Sequence, residues 1–221
     1  MRIHIKFKGS NATIPINYQH LLTGTIHKWI GKQNQEHGNV SLYSFSWLQG
    51  TYKNPNENNL IINNNGSFFI SCYNDELLQT IIKNIQTDPI MFNDLIAQEI
   101  IIQQNPDFEN KDTFYAASPI FIKRKNENSI KHFTYSDEES NSYLKETLET
   151  KMALVGLKDS SLDISFDTNY KKATTKLIKY NSINNRASIC PVIIKAKPET
   201  KAFAWNVGLG NSTGIGFGAL K

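Results

Sequence analysis

Cysteine is nearly absent: Cys72 and Cys190 are the only two in the chain. Two thiols cannot build a disulfide framework or a four-cysteine zinc site. Long apolar runs are missing too, and none approaches the roughly 18 residues that a membrane-spanning helix needs. The opening Met1-Arg2-Ile3-His4-Ile5-Lys6-Phe7 alternates polar and apolar residues, where a signal peptide requires an unbroken apolar stretch. The expectation is a cytoplasmic protein without a membrane partner. Arginine is scarce as well. Of 24 basic residues only Arg2, Arg124 and Arg186 are arginine. Abundant Lys, Asn and Ile suggest an AT-rich coding sequence, so the formal net charge of +4 says little by itself.

What is present is enough for a globular core. Hydrophobic residues make up 39% and aromatics 11% of 221 residues, a length that suits one large domain or two small ones. Charge is unevenly spread. Residues 1–110 hold 7 basic and 9 acidic groups, whereas residues 111–221 hold 17 and 11. Within 171–201, Lys171, Lys172, Lys176, Lys179, Arg186, Lys195, Lys197 and Lys201 face a single acid, Glu199. Such a cluster can attract phosphates, although a solvated lysine-rich hairpin would read the same way.

Periodicity divides the chain into two rounds. Ile3, Ile5 and Phe7 mark a first strand. A helix from Tyr18 to Gly31 carries Leu22, Ile26, Trp29 and Ile30 on one face. Val40–Trp47 and Ser67–Tyr73 read as strands, with turns expected at Asn54-Pro55-Asn56 and Asn63–Gly66. A helix capped at Asn74 or Asp75 carries Leu77, Leu78, Ile81, Ile82 and Ile85, and the β-branched run in Ile96–Gln103 favours a strand. This is the βαββαβ order of a ferredoxin-like unit. A second round follows a linker at 105–111: a strand Thr113–Lys123, a helix Asp137–Val155, a strand Leu162–Phe166, a hairpin Lys172–Ile194 turning at Asn184-Asn185, a helix Glu199–Val207 and a last strand Gly214–Leu220. The expected architecture is α+β, two tandem ferredoxin-like (RRM-like) domains over 1–110 and 111–221 with a C-terminal glycine-rich loop.

That loop holds Gly208, Gly210, Gly214, Gly216 and Gly218. Its order, helix then loop then strand, is the reverse of a dinucleotide fingerprint, and it lacks the Gly-Lys-Ser/Thr of a P-loop. Backbone N–H groups in a bare loop can still hold a nucleic-acid backbone, while a tight helix-to-strand connection is the plainer reading. Gly-Leu-Gly-Asn-Ser-Thr-Gly-Ile-Gly-Phe-Gly at the end of a double ferredoxin-like chain resembles the RAMP-superfamily endoribonucleases that process precursor CRISPR RNA. Ile14-Pro15 before HLLTGTIHKWI, the segment LYSFS (Leu42–Ser46) and TFYAASPIFIK (Thr113–Lys123) fit the same family.

The resemblance implies cleavage without a metal or other cofactor. The 2′-hydroxyl attacks the neighbouring phosphate, leaving a 2′,3′-cyclic phosphate and a 5′-hydroxyl. The reaction needs a base, an acid and positive stabilisation, and histidine suits both proton transfers. His27 lies off the core stripe of its helix, with Gly24 and Gly31 on its own face leaving a slot. Its position matches the family's catalytic helix residue, and His37 lies in the loop where the family carries a catalytic histidine. His4 and His132 read as structural or surface residues; His20 shares the face of His27 but is not assigned a role. Where many members carry a lysine before the LYSFS strand, this chain has Ser41. The stabilising group therefore stays open between Lys28, Lys53, a lysine of the second half, and Tyr43 as a hydrogen-bond donor.

For RNA binding the expected residues are Lys28, Lys171, Lys172, Lys176, Lys179 and Arg186, with Gly208, Gly210, Asn211, Ser212, Thr213, Gly214 and Gly216 of the loop. The implied partners are CRISPR repeat RNA as precursor and product, subunits of a CRISPR effector complex, and a second copy of the chain. Two other readings stay open: a RAMP-type subunit that holds guide RNA without cutting it, and a ferredoxin-like protein of small-molecule metabolism.

Overall fold

The computed structural model describes residues 1–9, 13–31, 40–126, 129–180 and 182–221. The first unit runs β1 (Arg2–Lys8), β2 (Ile14–Pro15), α1 (Gln19–Ile30), β3 (Tyr43–Phe45), β4 (Gln49–Lys53), β5 (Asn59–Cys72), α2 (Asp75–Thr87) and β6 (Ile96–Gln103). Its sheet has the order β3-β5-β1-β6 with every neighbouring pair antiparallel; β2 and β4 also pair with β5. The crossover β1-α1-β3 therefore straddles β5, and β5-α2-β6 straddles β1, as in a ferredoxin-like unit. Alternation in β1 places Ile3, Ile5 and Phe7 in the core, where they meet Leu22, Ile26 and Trp29 of α1 and Leu78, Ile81 and Ile85 of α2. Each such side chain contributes about 1.5–3 kcal/mol on burial. Helix α2 starts where the Asn74 side chain accepts the Glu76 N–H, with Asp75 and Glu76 complementing the helix dipole in the first turn.

The second unit runs β7 (Thr113–Phe114), β8 (Ile122–Asn126), β9 (Ser129–Phe133), α3 (Ser140–Leu154), β10 (Asp163–Phe166), β11 (Thr174–Tyr180), β12 (Ile183–Ile189), β13 (Val192–Lys195) and α4 (Pro198–Val207). Three strands pair in the order β10-β13-β7. Beyond β7 the chain's last residues add a fourth position. Leu220 bridges Ala116, and Tyr115 and Lys221 exchange backbone hydrogen bonds of 2.9 and 2.8 Å. The strand order of the first unit thus recurs, and the protein is a pair of tandem ferredoxin-like units.

Several local expectations are corrected. Asn63–Gly66 is not a turn but part of the 14-residue β5. Gly66 is glycine because a Cβ there would run into the ring of Phe7. The strand expected over Thr113–Lys123 stops at Phe114 and resumes as β8, broken around Pro119, which has no N–H to donate. The hairpin Lys172–Ile194 is the shorter β11–β12 pair, with Asn184 and Asn185 inside β12, and β13 belongs to the main sheet. The last strand shrinks to the Leu220 bridge, preceded by a single 3-10 turn at Thr213–Ile215.

The C-terminus of α4 joins the two units. A helix leaves its last carbonyls without intrahelical partners. Here the Arg2 guanidinium donates to Trp205 O (3.3 Å), Ser44 Oγ to Asn206 O (3.1 Å), and Lys151 Nζ to Val207 O (3.0 Å) and Gly208 O (3.3 Å). Two of these three donors are cations, the sign that a helix C-terminus favours. Arg2 also lies between the rings of Phe69 and Trp205, 3.6 and 3.7 Å from their centroids, and bonds Ser71 Oγ and Leu220 O. Burial pulls its guanidinium down to about 9.

Candidate RNA-processing site

Strand β3 is at the edge of the first sheet, and the glycine-rich loop crosses it. The period-2 alternation of a strand points Tyr43 and Phe45 to one face and Ser44 to the other. Gly214 lies against Ser41 and Tyr43. A Cβ on it would collide with the Ser41 side chain and stand 3.0 Å from Tyr43 Oη. Gly216, at φ +93°, leaves room for the Phe45 ring. Gly214 and Gly216 are glycine because the backbone of one unit lies directly on the strand of the other, whereas Gly210 and Gly218 are closed in by the Phe121 and Leu209 backbone of their own unit.

This packing builds a short chain of contacts. The buried Tyr43 hydroxyl donates to Gly214 O at 3.1 Å and lies 3.2 Å from His27 Nε2. A phenol has one proton, and a carbonyl can only accept it. With the Gly214 bond made, the phenol oxygen accepts from His27 Nε2, which then carries a ring proton. His27 is half-buried on α1, and the helix ends at Gly31, whose φ of +91° favours glycine. Gly24 has open space where a side chain would be. His37 lies outside the described residues.

Beside this pair a cleft of about 480 Å³ opens between α3 and the loop, lined among others by Ser41, Arg124, Thr147, Lys151, Asn211 and Ser212. Arg124 stacks its guanidinium 4.2 Å from the Tyr143 ring centroid and pairs with Glu146 at 2.9 Å. Lys151 is buried at the cleft floor and also donates to Thr213 Oγ1 at 3.0 Å; burial pulls its ammonium down to about 7. Ser212 holds a left-handed φ of +62°, and Asn211 is fixed through its backbone N–H to Phe121 O and its side-chain oxygen to the Lys123 N–H.

Residues 103–221 match the family model described as CRISPR associated protein Cas6, C-terminal. The chain belongs to the Cas6 family. Cas6-type architecture also extends over the whole length. A RAMP protein described as binding different RNA substrates superposes with TM-score 0.84 at 20% identity, covering 100% of this chain and 98% of that one. A Cas6-related protein from Pyrococcus furiosus gives TM-score 0.84 at 21% identity, covering 100% and 97%. Cas6 of Thermus thermophilus, in a product complex, gives 0.64 at 10% identity, covering 99% and 98%. At these identities the likeness establishes the shared fold. No curated protein matches the sequence.

Within this Cas6 fold the other expected residues are distributed unevenly. Lys28 is paired with Asp88 at 2.9 Å, on the rim of α1 rather than at the His27–Tyr43 contact. Lys53 is exposed on β4. Lys171 and Lys172 precede β11; with Lys176, Lys179 and Arg186 on the hairpin they are all exposed. Lys176 lies 4.7 Å from the Trp47 ring centroid, so the basic hairpin touches the first unit. Gly208, Gly210, Thr213, Gly214 and Gly216 are buried, while Asn211 and Ser212 are half-exposed. His4 bonds Gln103 at 2.7 Å and His20 is exposed.

Two groups escaped the sequence. Lys123, Arg124, Lys125 and Lys131 sit on the β8–β9 hairpin, which meets β12 where His132 Nδ1 accepts the Arg186 N–H at 3.4 Å. Burial first, then Lys123 and Arg186, lower the pKa of His132, which marks this flank as positive. Lys151 is the second. It lies seven residues after Leu144 and three after Leu148, on the core stripe of α3, and a lysine on an apolar stripe was the available signal.

Proposed function

We propose that the chain is a metal-independent endoribonuclease that cuts precursor CRISPR RNA within its repeats. The observation that carries the reading is the His27–Tyr43–Gly214 contact at the seam of a Cas6-family fold. In the reaction a base takes the proton of the 2′-hydroxyl, its oxygen bonds phosphorus, the bond to the 5′-oxygen breaks, and an acid protonates the leaving oxygen. The products are a 2′,3′-cyclic phosphate and a 5′-hydroxyl. His27 and His37 are the proposed proton-transfer pair, and each positioned transfer contributes roughly 10²–10⁴-fold. Tyr43 orients His27.

RNA is held by the positive flank of the second unit and by the exposed side of the glycine-rich loop at Asn211 and Ser212. Gly214 and Gly216 serve by letting the loop lie on β3. Lysine contacts to phosphate make binding weaken as salt rises.

The test is incubation of repeat RNA with the protein in excess EDTA. The expected result is cleavage by the wild type and at least about 100-fold slower cleavage by His27→Ala at near-normal RNA affinity. Full activity in a His27→Ala, His37→Ala double variant contradicts the assignment. Ser41 at the position of the usual lysine, with Lys28 engaged by Asp88, supports a second reading in which the chain holds guide RNA without cutting. Tight binding without cleavage by the wild type would select it.

A further inference from the structure

The seam holds a cation for which neither the family match nor the proposed chemistry accounts. Lys151 is 4% exposed and no described carboxylate pairs with it. Its ammonium instead grips the loop at both ends of the turn: Val207 O and Gly208 O where the loop leaves α4, and Thr213 Oγ1 where it reaches β3. Thr213 is followed by Gly214, whose carbonyl accepts from Tyr43, whose oxygen lies 3.2 Å from His27 Nε2. Gly214 is packed so closely that a Cβ on it would collide with the Ser41 side chain and stand 3.0 Å from Tyr43 Oη. A shift of Thr213 must therefore pass to the Tyr43 hydroxyl. A buried lysine holding only neutral acceptors loses hydration without gaining a salt bridge, which a generic packing position does not need.

We propose that Lys151 is a positioning residue: by clamping the glycine-rich loop from α3 it sets where the Tyr43 hydroxyl, and with it the His27 imidazole, sits. The inference rests on the proposed nuclease reading for its catalytic consequence, but not for the coupling itself. Lys151 is a residue of the second unit, outside the histidine pair, on which the first unit's proposed chemistry depends.

Two readouts separate these levels. The first is the NMR titration of His27 in the full-length protein without RNA, for wild type, Lys151→Met, Lys151→Arg and Thr213→Val. The expected result is a His27 midpoint shifted by about 0.3 pH unit or more in Lys151→Met and Thr213→Val, and restored in Lys151→Arg. The second is single-turnover cleavage of repeat RNA alongside its dissociation constant. Lys151→Met and Thr213→Val are expected to slow cleavage about tenfold or more, with affinity within about twofold of wild type. In a Tyr43→Phe background the same Lys151→Met change is expected to cost less than about twofold, because the contact it acts through is gone. Coincident His27 titrations in folded variants, or an undiminished cost of Lys151→Met beside Tyr43→Phe, would overturn the proposal. If Lys151→Met does not fold, Thr213→Val carries the test alone. If the wild type cuts no RNA, the nuclease reading fails and the His27 titration still decides the coupling.

Discussion

In the first ferredoxin-like unit β5 is 14 residues long and β1 is paired along its length on both sides. In the second, the strand in the place of β1 has two residues, and the strand in the place of β6 is one bridge at Leu220. The strand order is the same, yet the second unit has given up regular sheet for two basic hairpins and a loop that lies on its neighbour. Charge follows the division: residues 1–110 carry more acids than bases and residues 111–221 the reverse. The regular unit supplies His27 and Tyr43 from α1 and β3; the irregular one supplies positive surface and the backbone that fixes Tyr43. Neither half contains the proposed site, whose His27, Tyr43 and Gly214 come together only where the two units meet.

If the seam is the site, filling it should do the most damage. Gly214→Ala forces a Cβ into Ser41 and Tyr43. We expect single-turnover cleavage of repeat RNA to fall about 100-fold, with overpacking costing about 1–3 kcal/mol in denaturant unfolding. Activity near that of the wild type would show that the two units need not touch so closely.

The next largest effect separates holding the units together from the chemistry. Arg2→Met removes two ring contacts and three hydrogen bonds, and leaves Ser71 Oγ and the Trp205 and Leu220 carbonyls without their cation. A loss of about 3 kcal/mol is expected from urea unfolding. A loss well under 1 kcal/mol would mean that the α4 terminus does not depend on the first unit.

Lys151 is the counterpart cation of the second unit, and pH addresses it. Its folded pKa, about 7, lies below the ordinary 10.5. Between those values the unfolded chain binds more protons than the native one, so stability from this group is present above 10.5 and falls as pH drops towards 7. From pH 9 down to pH 7 wild type should lose on the order of 2 kcal/mol relative to Lys151→Met at the same pH values. Arg124 and Glu146, which share the cleft, pair with each other at 2.9 Å. Parallel pH curves for the two proteins would contradict this.

Smallest in free energy is the charge asymmetry itself. Lys176→Glu with Lys179→Glu on β11 should weaken repeat-RNA binding about tenfold and flatten its salt dependence by roughly 1–2 in log–log slope. Lys6→Glu with Lys8→Glu on β1 should change neither. Equal effects from both pairs in fluorescence anisotropy would erase the division of labour between the units.

How much of this was legible in the sequence differs between the units for the same physical reason. Apolar periodicity reveals elements that bury a face, and it located β1, α1, α2 and α3 through residues that lie in the cores or pack against them. It failed where glycine and asparagine, normally turn residues, serve close approach: Gly66 under Phe7 within β5 looked like a turn. It failed again at 214–220, where the loop rests on β3 rather than pairing as a strand. At the proposed site, helical spacing set His27 off the core stripe, while Tyr43 came forward only through the family resemblance, as a hydrogen-bond donor where Ser41 replaces the usual lysine. The stripe of α3 flags Lys151 as an oddity, but the partners of Arg2 and Lys151 were invisible because they lie up to 218 residues away, a distance no local pattern encodes.

The most direct measurement is cleavage of a repeat RNA carrying one 2′-deoxy sugar at the scissile position, compared with the all-ribose strand. The account predicts that the substituted strand binds with unchanged affinity and stays intact, while the ribose strand yields a 2′,3′-cyclic phosphate end. Cleavage of the deoxy strand at the ribose rate would show that the nucleophile is not the neighbouring hydroxyl and that the His27 seam is not the site of this chemistry.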